Sequence, residues 1–417
     1  MKIYLVGGAV RDALLNRPVT EQDWMVVGGT PQELLAKGYR SVGKTFPVFL
    51  HPDTQEEYAL ARVERKTAPG YHGFDFVFDS TVTLEEDLSR RDLTINAMAQ
   101  DSESKKIIDP YGGLEDLKQK KLRHVTEAFQ EDPVRILRVA RFAARYAELG
   151  FTVASETIAL MRKMVEMGEV DALIPERVWK ETAKALLEPN PEVYLQVLRA
   201  CGALKVIFPE VDALYGVPQP LKYHPEVDCG IHAELVLQQS ALISSELPVR
   251  FAAFCHDLGK ARTPKDILPS HHGHEMRSKR LTLQLCQRMK VPNELRDIAI
   301  YTAEYHGIAH NAFVLKPSTV LKLFEAGDCF RQPKKLEWFL LACVADAKGR
   351  PGFEDKPYPQ AEYLAQLFEA AASVSSKKVI NSLNNPTGAE IKEAIKKARE
   401  FAIKQAKVDG NEDDPNV

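Results

Sequence analysis

Short apolar runs separated by glycine- and proline-marked turns fill the first 110 residues, and helical periodicity takes over after about residue 130. Residues 3–6 read as a strand that stops at Gly7-Gly8, residues 9–15 as a short helix, and residues 24–27 as a second strand closed by Gly28-Gly29. Residues 31–36 read as a helix ending near Gly38, and 47–51 and 58–62 as further strands. From 134 to 149 apolar residues recur at helical spacing, with arginine at 135, 138, 141 and 145. Helices over 157–167, 176–187 and 191–201 continue the pattern, punctuated by Pro175, Pro189, Pro191 and Pro209. Residues 217–225 read as a proline-rich linker, with more helices after it to about residue 374. The lysine-rich segment 389–407 reads as one more helix, with a solvated face as its first reading and contact with RNA phosphates as its second. Residues 409–417 are polar and expected to fray. The pattern is α+β: a small mixed sheet followed by all-helical regions, with no internal repeat.

A chain of 417 residues suggests two to four domains, and 45% hydrophobic with 27% charged residues is the profile of a globular protein that needs no staples. Its six cysteines form no C-x-x-C pair, which fits reduced thiols in a cytoplasmic protein rather than a disulfide framework. The apolar run at the N-terminus is too short for a signal peptide, and no segment approaches the roughly 18 apolar residues of a membrane span. The formal net charge of −3 argues against a protein that coats nucleic acid through bulk charge, while leaving room for a local basic groove.

Chemistry concentrates in two places. The first begins at Gly7-Gly8-Ala9-Val10-Arg11-Asp12. A glycine pair between strand and helix exposes backbone N–H groups to phosphate oxygens, with Arg11 one turn further on; by itself it reads more simply as a tight turn. Glu21 and Asp23 stand two apart at the start of a strand and so point the same way. Such a pair can hold Mg²⁺ to activate a hydroxyl and neutralise charge on a transferring phosphoryl group. Glu57, at the start of a later strand, is a candidate third ligand or an ordinary exposed charge. Arg90-Arg91-Asp92 offers Arg91 as a triphosphate clamp. Glu131-Asp132-Pro133-Val134-Arg135 opens the arginine-rich helix. There Asp132 suits a helix cap, and equally the pair Asp132/Arg135 suits donor–acceptor reading of a base edge. Arg138 and Arg141 follow along one side of that helix.

In this order, Gly-Gly-x-Val-Arg-Asp, acid-x-Asp, Arg-Arg-Asp-x-x-x-Asn, Asp-Pro-Tyr-Gly-Gly and Glu-Asp-x-x-Arg, the chain over about residues 1–215 resembles the bacterial class II tRNA nucleotidyltransferases, the CCA-adding enzymes of the polymerase β superfamily. The resemblance implies that Glu21 and Asp23 hold Mg²⁺ and that Gly8, Arg11 and Arg91 bind the nucleoside triphosphate. Asp132 and Arg135 would pair with incoming CTP or ATP in place of a nucleic-acid template, and Arg138 and Arg141 would add phosphate contacts. Asp109 would lie in a hinge that switches the site from C to A. The tRNA acceptor end would be held by shape and backbone. One position departs from the pattern: Glu21 stands where the family has Asp, one methylene further from the strand.

The second place is Phe251-Ala252-Ala253-Phe254-Cys255-His256-Asp257-Leu258-Gly259-Lys260, with His232 upstream and His271, His272, His274, His306 and Asp346 downstream. Crowded imidazole and carboxylate suit a divalent transition metal. The arrangement resembles the HD phosphohydrolase superfamily. It implies that His232, His256, Asp257 and Asp346 ligate a metal such as Ni²⁺ that activates water against a phosphomonoester or cyclic phosphate. His272, His274 and His306 are secondary candidates for substrate or a second metal. The expected division is a nucleotidyltransferase head (1–130), a helical neck (131–220), an HD domain (226–350) and a helical tail (351–417), in a monomer or homodimer. Rival readings are a poly(A) polymerase, a tRNA-binding protein with an inactive head, and a chain whose chief activity is the HD hydrolase.

Overall fold

The computed structural model describes residues 1–19, 21–42, 48–66, 74–77 and 80–412, and it divides into two compact units, Met1–Ile207 and Phe208–Val417. In the first unit a seven-stranded mixed sheet is built from β1 (Lys2–Val6), β2 (Asp23–Val27), β3 (Arg40–Val42), β4 (Val48–Leu50), β5 (Glu57–Leu60), β8 (Ala99–Asp101) and β9 (Ile107–Ile108), in the order β3-β4-β5-β2-β1-β8-β9. β6 (Val63–Lys66) and β7 (Phe74–Val77) form a separate antiparallel ribbon. β2 and β5 pair in parallel, Asp23 opposite Glu57, and the other neighbours in the sheet are antiparallel. The expected strand over 47–51 is present as Val48–Leu50, while Pro47 lies outside the described residues.

Alternation along β2 sends Met25 to one core with Tyr4, Val6, Leu84, Leu88 and Ala99, and Val26 to another with Leu34, Phe49, Tyr58 and Leu60. Two short helices close these faces because their caps are written locally. Thr30 and Glu33 form a capping box on α2 (Pro31–Ala36), and Thr83 and Glu86 do the same on α3 (Leu84–Ser89). Asp23 shares its face with Met25, the face that α3 covers, so the pleat alone directs its carboxylate toward the arginines that follow α3.

α1 (Gly8–Leu14) and α4 (Gly113–Gln119) complete the head. α5 (Val134–Tyr146), α6 (Ser155–Glu166), α7 (Pro175–Leu186), α8 (Pro191–Ala200) and α9 (Ala203–Ile207) follow, with ends close to those of the periodicity where one was read. α5 packs on α7 and α8 and buries Ile136, Leu137, Val139, Ala140 and Tyr146.

The second unit holds α10 (Pro209–Asp212), α11 (Cys229–Ile243), α12 (Leu247–Cys255), α13 (His274–Arg288), α14 (Asn293–Ala309), α15 (Pro317–Ala326), α16 (Lys334–Lys348), α17 (Pro359–Ala372), α18 (Ser376–Asn381) and α19 (Gly388–Glu412). One apolar core joins Val249, Ile298, Phe324, Phe339, Leu364, Leu367 and Ile403, so α17 and α19 share a core with α12, α14, α15 and α16. α19 is longer than the 389–407 expected and is not simply a solvated face. Ile403 is buried, Arg399 lies 3.6 Å from the centre of the Phe330 ring, and Lys407 donates to the Phe313 carbonyl and the Tyr363 hydroxyl. It carries the chain to Glu412, so residues 409–412, expected to fray, are helical; 413–417 lie outside the described residues.

Two candidate active sites

The Gly7-Gly8 turn works because Gly7 has φ +69°, and a Cβ there would come within 2.7 Å of Arg91 Nη1. The turn starts α1 and lets Arg91 approach the backbone. A cavity of about 960 Å³ opens beside it. Its lining includes Gly8, Arg11, Glu21, Asp23, Arg91, Asp132, Arg135, Arg138 and Arg141, which covers the head residues singled out from the sequence except Glu57 and Asp109. Glu57 lines the adjoining smaller cavity with Asp23. Arg62, Arg90, Arg145, Arg177, Lys180 and Lys184 also reach the larger cavity. Cations there outnumber carboxylates by about two to one, so an acidic chain still presents a basic hollow suited to a triphosphate.

Several of these cations are already held. Arg11 is buried, donates from Nε and Nη2 to the two Asp12 oxygens at 2.9 Å, donates to Asn96 Oδ1, and lies over Phe142 and Tyr146. Arg138 donates to Asp92 at 2.7 Å, and Arg141 to Glu181 at 2.8 Å and Glu188 at 3.4 Å. Asp92 also accepts from Leu93 N and Asn96 Nδ2. Burial would raise its carboxyl, but the Arg138 guanidinium and the Asn96 amide outweigh it and hold it at about 2. Asp23 shifts the other way. Loss of water around it raises its carboxyl, the Arg91 charge opposes this, and the Glu21 carboxylate adds to the rise. Two oxygen-donor carboxylates in mutual repulsion fit a hard divalent cation. Among the described residues, Glu21, Asp23 and Glu57 do not close into a three-ligand cluster.

Asp132 sits two residues before α5, one residue ahead of the cap position that Pro133 takes, and its Oδ1 accepts from Val134 N at 3.1 Å. Its partner across the cavity is Arg177, which the sequence reading passed over, while Arg135 donates to the Ala128 carbonyl. Asp109 accepts from Gly113 N and Leu114 N and so caps α4.

In the second unit, α11 carries His232, His256 and Asp257 follow directly on the end of α12, and α16 carries Asp346. His232 Nε2 lies 3.1 Å from Asp346 Oδ1, and His256 Nε2 lies 3.2 Å from Asp257 Oδ2 and 3.7 Å from Asp346 Oδ1. Asp257 turns its other oxygen to His274 at 3.2 Å and His306 at 3.5 Å. Two buried clusters therefore share Asp257: the predicted quartet on one side, and His274 with His306 on the other. His272, also suggested from the sequence, lies outside both.

The imidazoles are aimed from behind. His256, His274 and His306 each place Nδ1 against a backbone carbonyl, of Ala253, His271 and Thr302, which leaves Nε2 facing the acids. Burial would raise Asp257 and Asp346. Lys260 and His256 nevertheless hold Asp257 well below the usual carboxylate range, and His310 and His256 do so for Asp346. His256 Nε2 and Asp257 Oδ1 are buried without a hydrogen-bond partner, and a mixed imidazole–carboxylate donor set fits a transition divalent cation.

Residues 217–225, expected as a linker, belong to this site. Gln219 is buried and accepts from Lys260 Nζ at 2.7 Å, Pro218 O meets His271 Nε2, and Glu226 Oε1 lies 2.9 Å from His232 Nδ1. A bridge between Pro218 and Asp228 and the cap of Asp228 on α11 hold the segment in place. Its prolines and open polarity suggested a connector because its partners lie on α11, just before α13 and in the turn after α12. His310 and Tyr358 were also missed: His310 Nε2 is 2.7 Å from Asp346 Oδ2, and its Nδ1 is 2.8 Å from the Tyr358 hydroxyl.

Together these features define a nucleotidyltransferase head and neck joined in one chain to an HD hydrolase. Family models agree: the poly A polymerase head domain matches residues 3–123, the probable RNA and SrmB-binding site of polymerase A matches 150–215, and the HD domain matches 230–331. The multifunctional CCA protein of Thioalkalivibrio sulfidiphilus is 59% identical over 409 residues, 98% of this chain and 99% of its own. The chain belongs to the multifunctional CCA proteins, enzymes that add CCA to tRNA and carry an HD phosphohydrolase domain. The fold is that of solved CCA-adding enzymes. The Bacillus stearothermophilus enzyme in complex with CTP matches 97% of this chain and 89% of its own with TM-score 0.63 at 24% identity. The Thermotoga maritima enzyme complexed with tRNA matches 98% and 91% with TM-score 0.61 at 18% identity. Both catalytic domains imply divalent metals. Among the described residues no helix is long and apolar enough to cross a membrane.

Proposed function

We propose that the head cavity takes CTP and ATP and transfers CMP and AMP to the tRNA 3′ hydroxyl, with Glu21 and Asp23 as the Mg²⁺ ligands. The observation that carries this reading is one basic cavity holding the paired carboxylates, the Gly7-Gly8 turn and the Asp132/Arg135 pair together. Mg²⁺, when bound, supplies activation of the hydroxyl and neutralisation of phosphoryl charge. The protein's own part is positioning. Gly8 and Arg91 flank the phosphates, Arg138 and Arg141 add positive charge from α5, and Asp132 with Arg135 faces the base. Arg11, tied to Asp12 and Asn96, acts by shaping the turn. Glu57 is an auxiliary acid beside Asp23.

In the second unit His232, His256, Asp257 and Asp346 hold a transition metal, Ni²⁺ among the candidates, that supplies an activated water. Lys260 adds positive charge beside Asp257, fitting a 2′-phosphate or a 2′,3′-cyclic phosphate as substrate. The paired activities suit repair of a damaged tRNA 3′ end in the cytoplasm.

The test uses tRNAs lacking three, two or one of the terminal nucleotides, with Mg²⁺ and labelled CTP or ATP. Stepwise addition that stops at CCA, lost in Asp23→Ala and kept in His256→Ala, is the expected result. Binding of tRNA without incorporation by the unaltered protein sinks the head reading. Hydrolysis of a 2′-nucleotide that survives His256→Ala sinks the HD reading.

A further inference from the structure

Asp132 is more constrained than a template carboxylate needs to be for capping alone. Arg177, near the start of α7, donates from Nη1 to Asp132 Oδ1 at 3.2 Å and from Nη2 to Oδ2 at 2.7 Å. Val134 N donates to Oδ1 at 3.1 Å. A carboxylate offers about four acceptor positions. Oδ1 is therefore filled by two donors, and Oδ2 keeps one position open. The helix that carries Arg177 is fixed in turn, because Glu181, four residues on, accepts from Arg141 of α5 at 2.8 Å. Arg177 and Glu181 thus brace α7 against the start and the middle of α5.

We propose that Arg177 is a positioning residue for base selection: it holds the plane of Asp132 so that one oxygen, Oδ2, meets the exocyclic amine of cytosine or adenine. Both bases carry an amine donor beside a ring-nitrogen acceptor. Uracil and guanine present a carbonyl beside a ring N–H, the reverse pattern. A fixed acceptor next to the Arg135 donor admits the first pair and repels the second. An unfixed carboxylate can rotate, and the same site then loses part of its power to refuse UTP and GTP. The inference rests on the proposed reading of the head cavity.

The experiment measures kcat/KM for all four nucleoside triphosphates on tRNA lacking the terminal nucleotides, in the full chain. It compares the unaltered protein with Arg177→Ala, Arg177→Gln, Asp132→Ala and the Arg177→Ala/Asp132→Ala double variant. The preference for CTP over UTP should fall on the order of 10- to 100-fold in Arg177→Ala, the range expected for one bidentate recognition pair. Arg177→Gln, which keeps a neutral donor and serves if the alanine variant does not fold, should fall between the two. The double variant should be no less selective than Asp132→Ala, because one residue acts through the other. An equal loss of rate with every nucleotide, or losses of selectivity that multiply in the double variant, overturns the proposal. If the unaltered protein adds neither CMP nor AMP, the cavity reading fails first and takes the inference with it.

Discussion

Replacing Asp92 by asparagine removes one charge from the ion pair that joins the turn after α3 to α5. In the native protein Arg138 Nε lies 2.7 Å from Asp92 Oδ2, and Asp92 is buried while the Arg138 side chain is 38% exposed. The carboxyl is held at about 2 against an ordinary 3.8. At a little over 1 kcal/mol for each pKa unit, that difference stabilises the folded unit by about 2 kcal/mol at pH 7. Asparagine keeps an acceptor for Leu93 N and Asn96 Nδ2, so the neutral hydrogen bonds survive in part, and Arg138 can recover water. The expected cost of Asp92→Asn is therefore about 2 kcal/mol, or roughly 4–8 °C in Tm for a unit of this size. The sign of the pH dependence follows from the lowered carboxyl. Stability from the pair is complete above about pH 4, the ordinary range of the group, and is lost as pH falls toward 2. By pH 3 about half remains. Urea unfolding of the unaltered chain and the Asp92→Asn variant, followed at pH 7, 5, 4 and 3 by a probe in the first unit, reads the gap directly. A gap below about 0.5 kcal/mol at pH 7, or one that does not narrow between pH 4 and pH 3, refutes the argument that Arg138 is held by a buried charge.

Glu226→Gln should weaken metal binding by about 10- to 100-fold, because Glu226 stands behind His232 and fixes its orientation; calorimetric titration with Ni²⁺ or Co²⁺ checks it, with CCA addition unchanged as the control. Gly259→Ala should cost more than an ordinary loop substitution. A Cβ there collides with the His274 carbonyl and with Ser278 near the start of α13, so His274 must move off Asp257. The expected result is at least a tenfold loss of HD hydrolysis with nucleotide addition intact, and full hydrolysis in this variant would show that the approach of α13 has room to spare.

The polymerase-like head was readable because its chemistry sits at turns and element starts. Gly7-Gly8 ends β1, Asp23 starts β2 and Arg91 follows α3, so local signals place each one, and the cavity gathers the set. Helix boundaries were close for the same reason: proline and capping residues mark them within the chain itself. What could not be read was commitment. Arg11 and Arg141 look like free phosphate ligands along the sequence, yet each is already matched by acids, Asp12 for one and Glu181 with Glu188 for the other. The matches of Arg141 span up to about 47 residues and exist only once α5 and α7 are packed.

The same limit explains the linker that became part of a site. Nothing in residues 217–225 is apolar and periodic enough to predict burial, and proline favours extended connection. Its structure comes from single polar bonds to partners far along the chain, Gln219 to Lys260 and Pro218 to His271, and just beyond it Glu226 approaches His232. Each bond reaches a residue of, or next to, the histidine–aspartate cluster. Pattern reading finds the candidate ligands, because HD and the spaced histidines are chemically conspicuous. It does not find the groups that aim them, because an orienting carboxylate or carbonyl needs only proximity, and proximity is a property of the fold. Arg177 is the same case in the head: an ordinary helix arginine by sequence, and the group that holds both oxygens of Asp132 once α7 lies against α5.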